Sequence, residues 1–307
     1  MEKEFVEWLV TKANAAPLPA GNHPLRIGIG DDAALVAPIS DSIVIATDSI
    51  AEGTHFDLAV HSLERVGRKL LAVNLSDLAA MAAKPLYCTL NFQVPTRFTL
   101  SDLQQIYQGV ETLANQHHVA IVGGDTNTWD GPLCLGATVI GSVEQPWRLS
   151  GALPNDSILV TGQLGGSLLG HHLDFDPRCE FALQISKKFA IHAATDITDS
   201  LSLDLHHMAN ASGVAAALDL DSVPVSTDAK TMCQSDPARS PLDRALTDGE
   251  DFELLLAVSK SDAAKILALD WGEVEVTEIG SFKEGSGLFQ VDSNGNQTQL
   301  PVRGYCH

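Results

Sequence analysis

Short apolar runs that end on aspartates are the chemistry-bearing feature of this chain. GIGDDAALV at 28–36 holds Asp31 and Asp32, SIVIA at 42–46 leads to Thr47 and Asp48, and NLSDLAAM at 74–81 sets Asp77 among apolar neighbours. GGDT at 123–126 adds Asp125, and ATDITDSL at 194–201 adds Asp196 and Asp199. Carboxylates in apolar surroundings cost free energy unless something compensates their charge. A divalent cation is the compensation this pattern points to; hard oxygen donors suit Mg²⁺, and Mg²⁺ suits phosphate chemistry. Plainer readings stand beside that one. Paired aspartates suit solvated turns, Thr47 and Asp48 suit a strand-end cap, and ATDITDSL suits a capped helix start. Asp77 is harder to give a purely structural role, because Asn74 and Asp77 stand at i, i+3 on one helix face. Gly123 and Gly124 either let the backbone approach a ligand or make a plain turn.

The elements that must position these residues alternate along the chain without repeats. Phe5, Leu9, Val10 and Ala13 predict a helix over 2–14, followed by a Pro-containing linker. Residues 42–46 read as a strand ending on Thr47 and Asp48. Over 62–83, Val66, Leu70, Val73, Asp77 and Met81 recur in near-helical steps, which puts Asp77 on the core-facing stripe. A strand at 86–94, a helix at 101–117 and strands at 119–122 and 133–143 complete one α/β unit. Pro146, Gly151, Pro154 and Asn155 mark 144–156 as a domain junction. Beyond it, a strand at 157–161 precedes GQLGGSLLG, whose Gly162, Gly165 and Gly166 suit a turn into a helix N-terminus that could hold an anion. A helix is predicted over 199–211 and another over 262–269. Strands are predicted over 214–225, 252–258 and 273–279, and a surface hairpin over 283–299 around Asn294 and Gly295.

At 307 residues the chain can hold one large domain or two ordinary ones, and 45% hydrophobic with 19% charged residues suits a globular protein. A formal net charge of −20 without a Lys/Arg-rich stripe argues against a nucleic-acid partner. No apolar run of membrane-spanning length occurs, and MEKEFVEWLV lacks the features of a signal peptide, so no membrane partner and a cytoplasmic location are expected. Cys88, Cys134, Cys179, Cys233 and Cys306 form no CxxC pair and read as reduced thiols. The pairs His117–His118, His171–His172 and His206–His207 place neighbours about 100° apart on a helix, and they read as structural or solvated. GxxxxGK[ST] is absent, and the acids behind Gly28-Ile29-Gly30 would repel a pyrophosphate unless metal intervened.

GIGDDAA, TDS followed by EGTHF at 52–56, RKLLAVNLSDLAAMAAKP at 68–85, GGDT, DITDSL and DGEDFELLL at 248–256 occur in that order. Together they resemble thiamine-monophosphate kinases over 28–305, nearly the whole chain, and the NLSDLAAM block with GGDT is specific to the likeness. The wider group includes aminoimidazole ribonucleotide synthetase, selenophosphate synthetase and a hydrogenase-maturation protein. The resemblance implies α/β and α+β architecture in two domains. Residues 1–148 would form a mixed-sheet domain that binds ATP and Mg²⁺ and pairs across a homodimer. Residues 149–307 would form an α+β domain completing the nucleotide and substrate site. Several Mg²⁺ ions would be held by Asp32, Thr47, Asp48, Asp77, Asp125, Asp196 and Asp199. ATP would meet Gly124, Asp125, Thr198 and Arg148, and thiamine monophosphate would meet His55, Glu250 and Tyr305. The chain departs from the pattern in places: Leu149 stands where an arginine is usual with Arg148 one residue early, Ala46 replaces a common Ser or Thr, and Ser200 and Asp248 replace glycines.

The implied reaction is ATP-dependent phosphorylation of thiamine monophosphate to thiamine diphosphate. An acceptor phosphate with its second pKa near ~6 is mostly a dianion at neutral pH, so no general base is needed and direct in-line transfer is expected. Two other readings stay open: an ATP-using enzyme of the same group with a different acceptor, and a paralogue that holds Mg-nucleotide without turnover. A selenophosphate-type enzyme would carry a reactive Cys near its glycine-rich N-terminus, and the earliest Cys here is Cys88.

Overall fold

The computed structural model describes residues 2–15, 25–29, 33–37, 39–292 and 295–305. The chain divides into two compact units, Met1–Leu78 with Ala83–Gln145, and Ala79–Ala82 with Pro146–His307. The first contains α1 (Glu2–Ala15), β1 (Leu25–Ile27), β2 (Leu35–Val36), β3 (Ser42–Ala51), α2 (Leu63–Ala80), β4 (Lys84–Pro95), α3 (Leu100–Gln116), β5 (Ala120–Trp129) and β6 (Cys134–Val143). β1 and β2 pair antiparallel, and a separate four-stranded sheet has the order β3-β6-β4-β5, with β4 and β5 parallel. Period-2 alternation gives this sheet two unlike faces. Val44, Ile50, Leu90, Phe92, Leu135 and Val139 are buried on one of them. The other, open face carries Thr47, Ser49, Thr89, Asn91, Thr138 and Asp125, with Ile43 and Ile45 45% and 66% exposed. Phe5 and Trp8 of α1 stack and meet Tyr107 of α3 edge-on, which anchors the predicted first helix. Thr99 and Asp102 form a reciprocal capping box at the start of α3.

β3 and β5 run well past the ends that the sequence pattern predicts. β3 runs on through Thr47 and Asp48 to Ala51, because β6 offers it a continuous ladder of partners, so these residues lie inside a strand rather than capping its end. β5 runs through GGDT to Trp129 beside β4, so the glycine pair is extended sheet, not a turn. Gly124 is needed there for packing, since a Cβ would lie 2.2 Å from the Leu90 carbonyl oxygen.

In the second unit the chain order is β7 (Ser157–Thr161), a 3₁₀ turn (Ser167–Leu169), α4 (His171–Asp174), α5 (Cys179–Ser186), β8 (Ile191–Asp196) and α6 (Leu201–Ser212). Next come β9 (Ala215–Asp219), a second 3₁₀ turn (Leu220–Ser222), α7 (Thr227–Ser235), α8 (Pro241–Thr247), β10 (Leu254–Val258), α9 (Lys260–Leu267), β11 (Val276–Lys283), β12 (Gly287–Val291) and β13 (Gln297–Gln299). A seven-stranded mixed sheet has the order β13-β12-β9-β11-β7-β10-β8, with β9 and β12 parallel. β7 and β10 are buried along their whole length, which explains their unbroken apolar runs. Leu201, Leu205 and Met208 of α6 pack with Ile158, Val160, Leu255, Ile279 and Phe282 in one core. Each such side chain contributes about 1.5–3 kcal/mol through burial. The expected hairpin is present as antiparallel β12 and β13, with Gly295 at φ +81°; Asn294 lies outside the described residues. No helix of the described residues is long and apolar enough to cross a membrane. Cys88, Cys134, Cys179 and Cys233 are free thiols.

Candidate active site

In the first unit, Asn74 ties the acidic strand to the acidic helix. Its Oδ1 accepts the Asp48 amide at 2.9 Å, while its Nδ2 donates to the Leu70 carbonyl at 2.8 Å, and the side chain is fully buried. Asp77 follows one turn later on the same face of α2, half-buried, so backbone geometry brings it toward the Asp48 stretch of β3. Crowding at Asp48 raises its pKa by desolvation, and the nearby His55 works in the opposite direction. Thr47 points to the open face, where its hydroxyl donates to the Ala137 carbonyl at 2.9 Å and accepts from Thr138 at 3.1 Å. Asp125 stands exposed on that same face beside Asn127, whose amide donates to it at 2.5 Å. A groove of about 620 Å³ over the open face is lined by Thr47, Asn91, Gly124, Asp125 and Thr138 among others. Asp32 falls outside the described residues.

His55 lies in the loop after β3. Its Nδ1 accepts the Ala51 amide at 3.1 Å, so the neutral ring carries its proton on Nε2. The His55 carbonyl is held by the ammonium of Lys69 at 2.8 Å, a lysine with no exposed surface. Sequence reasoning passed over Lys69; its signal was a cation at the head of the apolar LLAV run.

In the second unit, Asp196 ends β8 and is 7% exposed, and Thr198 and Asp199 follow before α6. Three consecutive amides, of Thr198, Asp199 and Ser200, donate to one oxygen of Asp204 at 3.0–3.1 Å. Burial pushes Asp204 up to about 7 despite those bonds, and Asp199 and Asp196 add to the rise. Asp204 shapes the acidic turn and was absent from the sequence-based set; its only signal was a third carboxylate on the apolar face of the predicted helix. Ser200, the departure from a usual glycine, is the N-cap of α6: its Oγ accepts from Leu203 at 3.1 Å and donates to the Arg303 carbonyl at 2.8 Å. Ser202 also donates to that carbonyl. The tail so fastened brings the Tyr305 amide to the Asp199 carbonyl at 3.0 Å, with the tyrosine half exposed. Arg148 is exposed, and its carbonyl accepts from Ala194 at 2.8 Å, which places it alongside β8; Leu149 beside it is 41% exposed.

Residues 248–253, DGEDFE, are gripped by the segment 161–178. Amides of Gly166 and Gly165 donate to Asp248 and Asp251 at 3.1 and 2.9 Å. The amides of the glycine loop that could have met a ligand anion are therefore taken up by the chain's own carboxyl groups. A Cβ on Gly165 would lie 2.6 Å from the Ala245 nitrogen, and φ there is +85°. Asp248, the other replacement of a glycine, also pairs with Arg239 at 2.7 Å and Arg244 at 3.5 Å. Ser167 donates to the Gly249 carbonyl at 2.6 Å. Burial drives the Asp251 carboxyl well above the usual carboxylate range, and its Oδ2 has no hydrogen-bond partner. Glu253, 2% exposed, is bound by Arg178 through both oxygens and by the Thr161 hydroxyl at 2.5 Å. Glu250 and Phe252 adopt φ of +61° and +52°, a region that costs non-glycine residues roughly 1–2 kcal/mol each.

Within the described residues, no three His, Cys, Asp or Glu side chains are gathered closely enough to hold one ion. The first unit supplies a reason. β3 and β5 stand three strand spacings apart in the sheet, about 14 Å, so Asp48 and Asp125 of one chain cannot share a cation. The donor chemistry does fit Mg²⁺, since Asp48, Asp77, Asp125, Asp196, Asp199 and Thr47 offer only hard oxygen atoms.

A four-stranded α/β unit and an α+β unit on a seven-stranded mixed sheet, each carrying aspartates on or just after its strands, define an architectural class. The AIR synthase related protein N-terminal domain family matches residues 30–143, and the corresponding C-terminal domain family matches 131–292. A thiamine-monophosphate kinase of Rhodopirellula baltica is 38% identical to this chain, covering all of it and 97% of the relative. The crystal structure of thiamine-monophosphate kinase from Stenotrophomonas maltophilia K279a is similar with a TM-score of 0.80 and 32% identity, over 95% of this chain and 96% of that one. AaThiL complexed with AMPPCP and TMP is similar with a TM-score of 0.76 and 27% identity, over 97% and 94%. The chain belongs to the thiamine-monophosphate kinase family.

Proposed function

We propose that this protein phosphorylates thiamine monophosphate to thiamine diphosphate with ATP, by direct in-line transfer of the γ-phosphoryl group. The observation that carries this reading is end-to-end similarity to relatives bearing that name, joined to an oxygen-only acid set at the positions where the family motifs fall. Asp48, Asp77, Asp125, Asp196, Asp199 and Thr47 would hold Mg²⁺, as would Asp32. Mg²⁺ supplies charge neutralisation between two anionic substrates. Gly124, Asp125, Thr198 and Arg148 would line the nucleotide, with exposed Arg148 taking the phosphate contact that Leu149 cannot make. His55, with its proton on Nε2, can donate to the acceptor phosphate, while Glu250 and Tyr305 would meet the thiamine moiety. Because the acceptor is already a dianion, these residues need only align the reactants and exclude water.

The division of labour would follow the chain, with 1–148 binding Mg-ATP and 149–307 completing nucleotide and substrate recognition, in the cytoplasm. A homodimer fits the first unit's sheet: its open face exposes Ile43 and Ile45, and the separation of Asp48 from Asp125 leaves each set of ligands to be completed by a second copy. Mixing Asp77→Asn chains with Asp125→Asn chains tests this, since only shared sites regain activity in the mixture. The activity itself is tested by ADP release from Mg-ATP against thiamine monophosphate, free thiamine, hydroxymethylpyrimidine phosphate and selenide. Thiamine diphosphate formed from the first alone supports the reading; ADP release with another acceptor, or with none, overturns it. A covalently phosphorylated chain trapped by rapid quench on the reaction path would overturn direct transfer.

A further inference from the structure

We propose that His172 is a positioning residue for the acceptor: it orients the Glu250 carboxylate toward the cationic, amine-bearing heterocycles of thiamine monophosphate. This rests on the reading of Glu250 as an acceptor contact. His172 is one of the histidines that sequence reasoning set aside as structural or solvated; here it is 3% exposed, and its Nδ1 lies 3.2 Å from Glu250 Oε2, whose side chain is 22% exposed.

The motif around Glu250 explains why this contact matters. Its other carboxylates are engaged by the fold, Asp248 by Arg239 and the Gly166 amide, Asp251 by the Gly165 amide, and Glu253 by Arg178 and Thr161. Glu250 is also held by its backbone at the end of β8. Its amide donates to the Thr198 carbonyl at 2.7 Å, the Phe252 amide donates to Ile197 at 2.8 Å, and both residues take left-handed φ values. Gly249 admits this path, since a Cβ there would lie 2.6 Å from the Thr198 oxygen. A strained arm held so firmly presents one side chain beside the Thr198–Asp199 turn, which is the arrangement of a functional group rather than of a solvated loop.

α4 fixes the imidazole as firmly as the backbone fixes Glu250. His171 contacts the Asp251 carbonyl through Nε2 at 3.2 Å, and Phe175 stacks on Phe252 with centroids 4.2 Å apart and planes within 11°. α4 and its C-cap residue Phe175 thus grip residues 250–252 at three points, two of them structural and the third, His172, on the carboxylate. A neutral imidazole with its proton on Nδ1 donates to Oε2 and leaves the carboxylate charged. Holding one oxygen sets the direction of the other, so the charge that faces a cationic ring is pre-oriented before the acceptor arrives.

The test is steady-state kinetics on the full chain with Mg-ATP and thiamine monophosphate. His172→Phe keeps the ring volume without its N–H, and His172→Asn restores an amide donor close to the Nδ1 position. The expected result for His172→Phe is a KM for thiamine monophosphate raised about tenfold, with the KM for ATP changed less than about twofold. His172→Asn should return the acceptor KM to within about threefold of the unaltered protein. Equal disturbance of both substrates, or no rescue by Asn, would mean a merely structural histidine and overturn the proposal. Glu250→Gln separates the two layers: an unchanged acceptor KM in that variant removes the underlying reading of Glu250. A raised KM in Glu250→Gln beside an unaffected His172→Phe removes only the role of His172. The double variant should be no worse than Glu250→Gln alone; multiplying effects also overturn the proposal. Should His172→Phe fail to fold, His172→Gln, whose amide sits at the Nε2 distance, takes its place with the same expected rise.

Discussion

The two units hold their carboxylates in opposite ways. On the first, Asp125 and Asp48 are exposed on strands, with Asp125 accepting from the Asn127 amide and Asp48 fastened through its backbone by Asn74. On the second, Asp204, Asp251 and Glu253 are buried and bonded by amides, an arginine and a hydroxyl, with one oxygen of Asp251 left without a partner. Exposed acids on a preformed sheet add little to the fold and are available to a cation; buried ones build the turn from which Asp196, Asp199 and Glu250 project. The difference teaches that acidity in one motif block can mean ligand and in the next mean scaffold.

The sharpest way to break that contrast is at Glu253. Glu253→Ala leaves the partly buried Arg178 and the buried Thr161 hydroxyl without their shared partner, and the expected loss of unfolding free energy is about 2–4 kcal/mol, read by urea denaturation. Asp125→Asn should do the reverse: turnover falls by more than ~100-fold, while the thermal midpoint moves by less than about 3 °C. Asp77→Asn should likewise abolish transfer, and wild-type turnover in either variant would remove the metal-ligand reading. Gly165→Ala forces a side chain into a left-handed, crowded position and should destabilise the second unit by about 1–3 kcal/mol, again by denaturation. Ser200→Ala, the mildest change, removes the α6 cap and should cost about 1 kcal/mol. If a Ser200→Gly variant instead matched the unaltered stability, the clasp on Arg303 would add nothing.

Much of the fold was legible because long amphipathic stretches dominate the first unit. The 3.6-residue stripe of Val66, Leu70 and Val73 gave α2 nearly to its ends, and alternation gave β4 and β6. The helices α4, α5, α7 and α8 were not legible, being only 4 to 9 residues long and too short to establish a period. From the sequence Thr47 and Asp48 read as a strand end because polar residues usually stop a strand; pairing with β6 overrides that, since the ladder needs backbone groups and not side chains. The motif aspartates announced themselves by being out of place among apolar residues. What supports them did not: Asn74, Lys69, Asp204 and His172 act on partners 4 to 78 residues away in the chain, and no single spacing rule links such pairs.

The contact between α4 and residues 250–252 bears on how this protein could be re-engineered. Anyone seeking a new acceptor by randomising position 250 alone would be screening replacements against a bracket cut for glutamate, and most would hang at the wrong angle. Codon libraries that vary 172 and 250 as a pair, leaving Phe175 and Phe252 as a fixed hinge pin, would search geometries as well as chemistries.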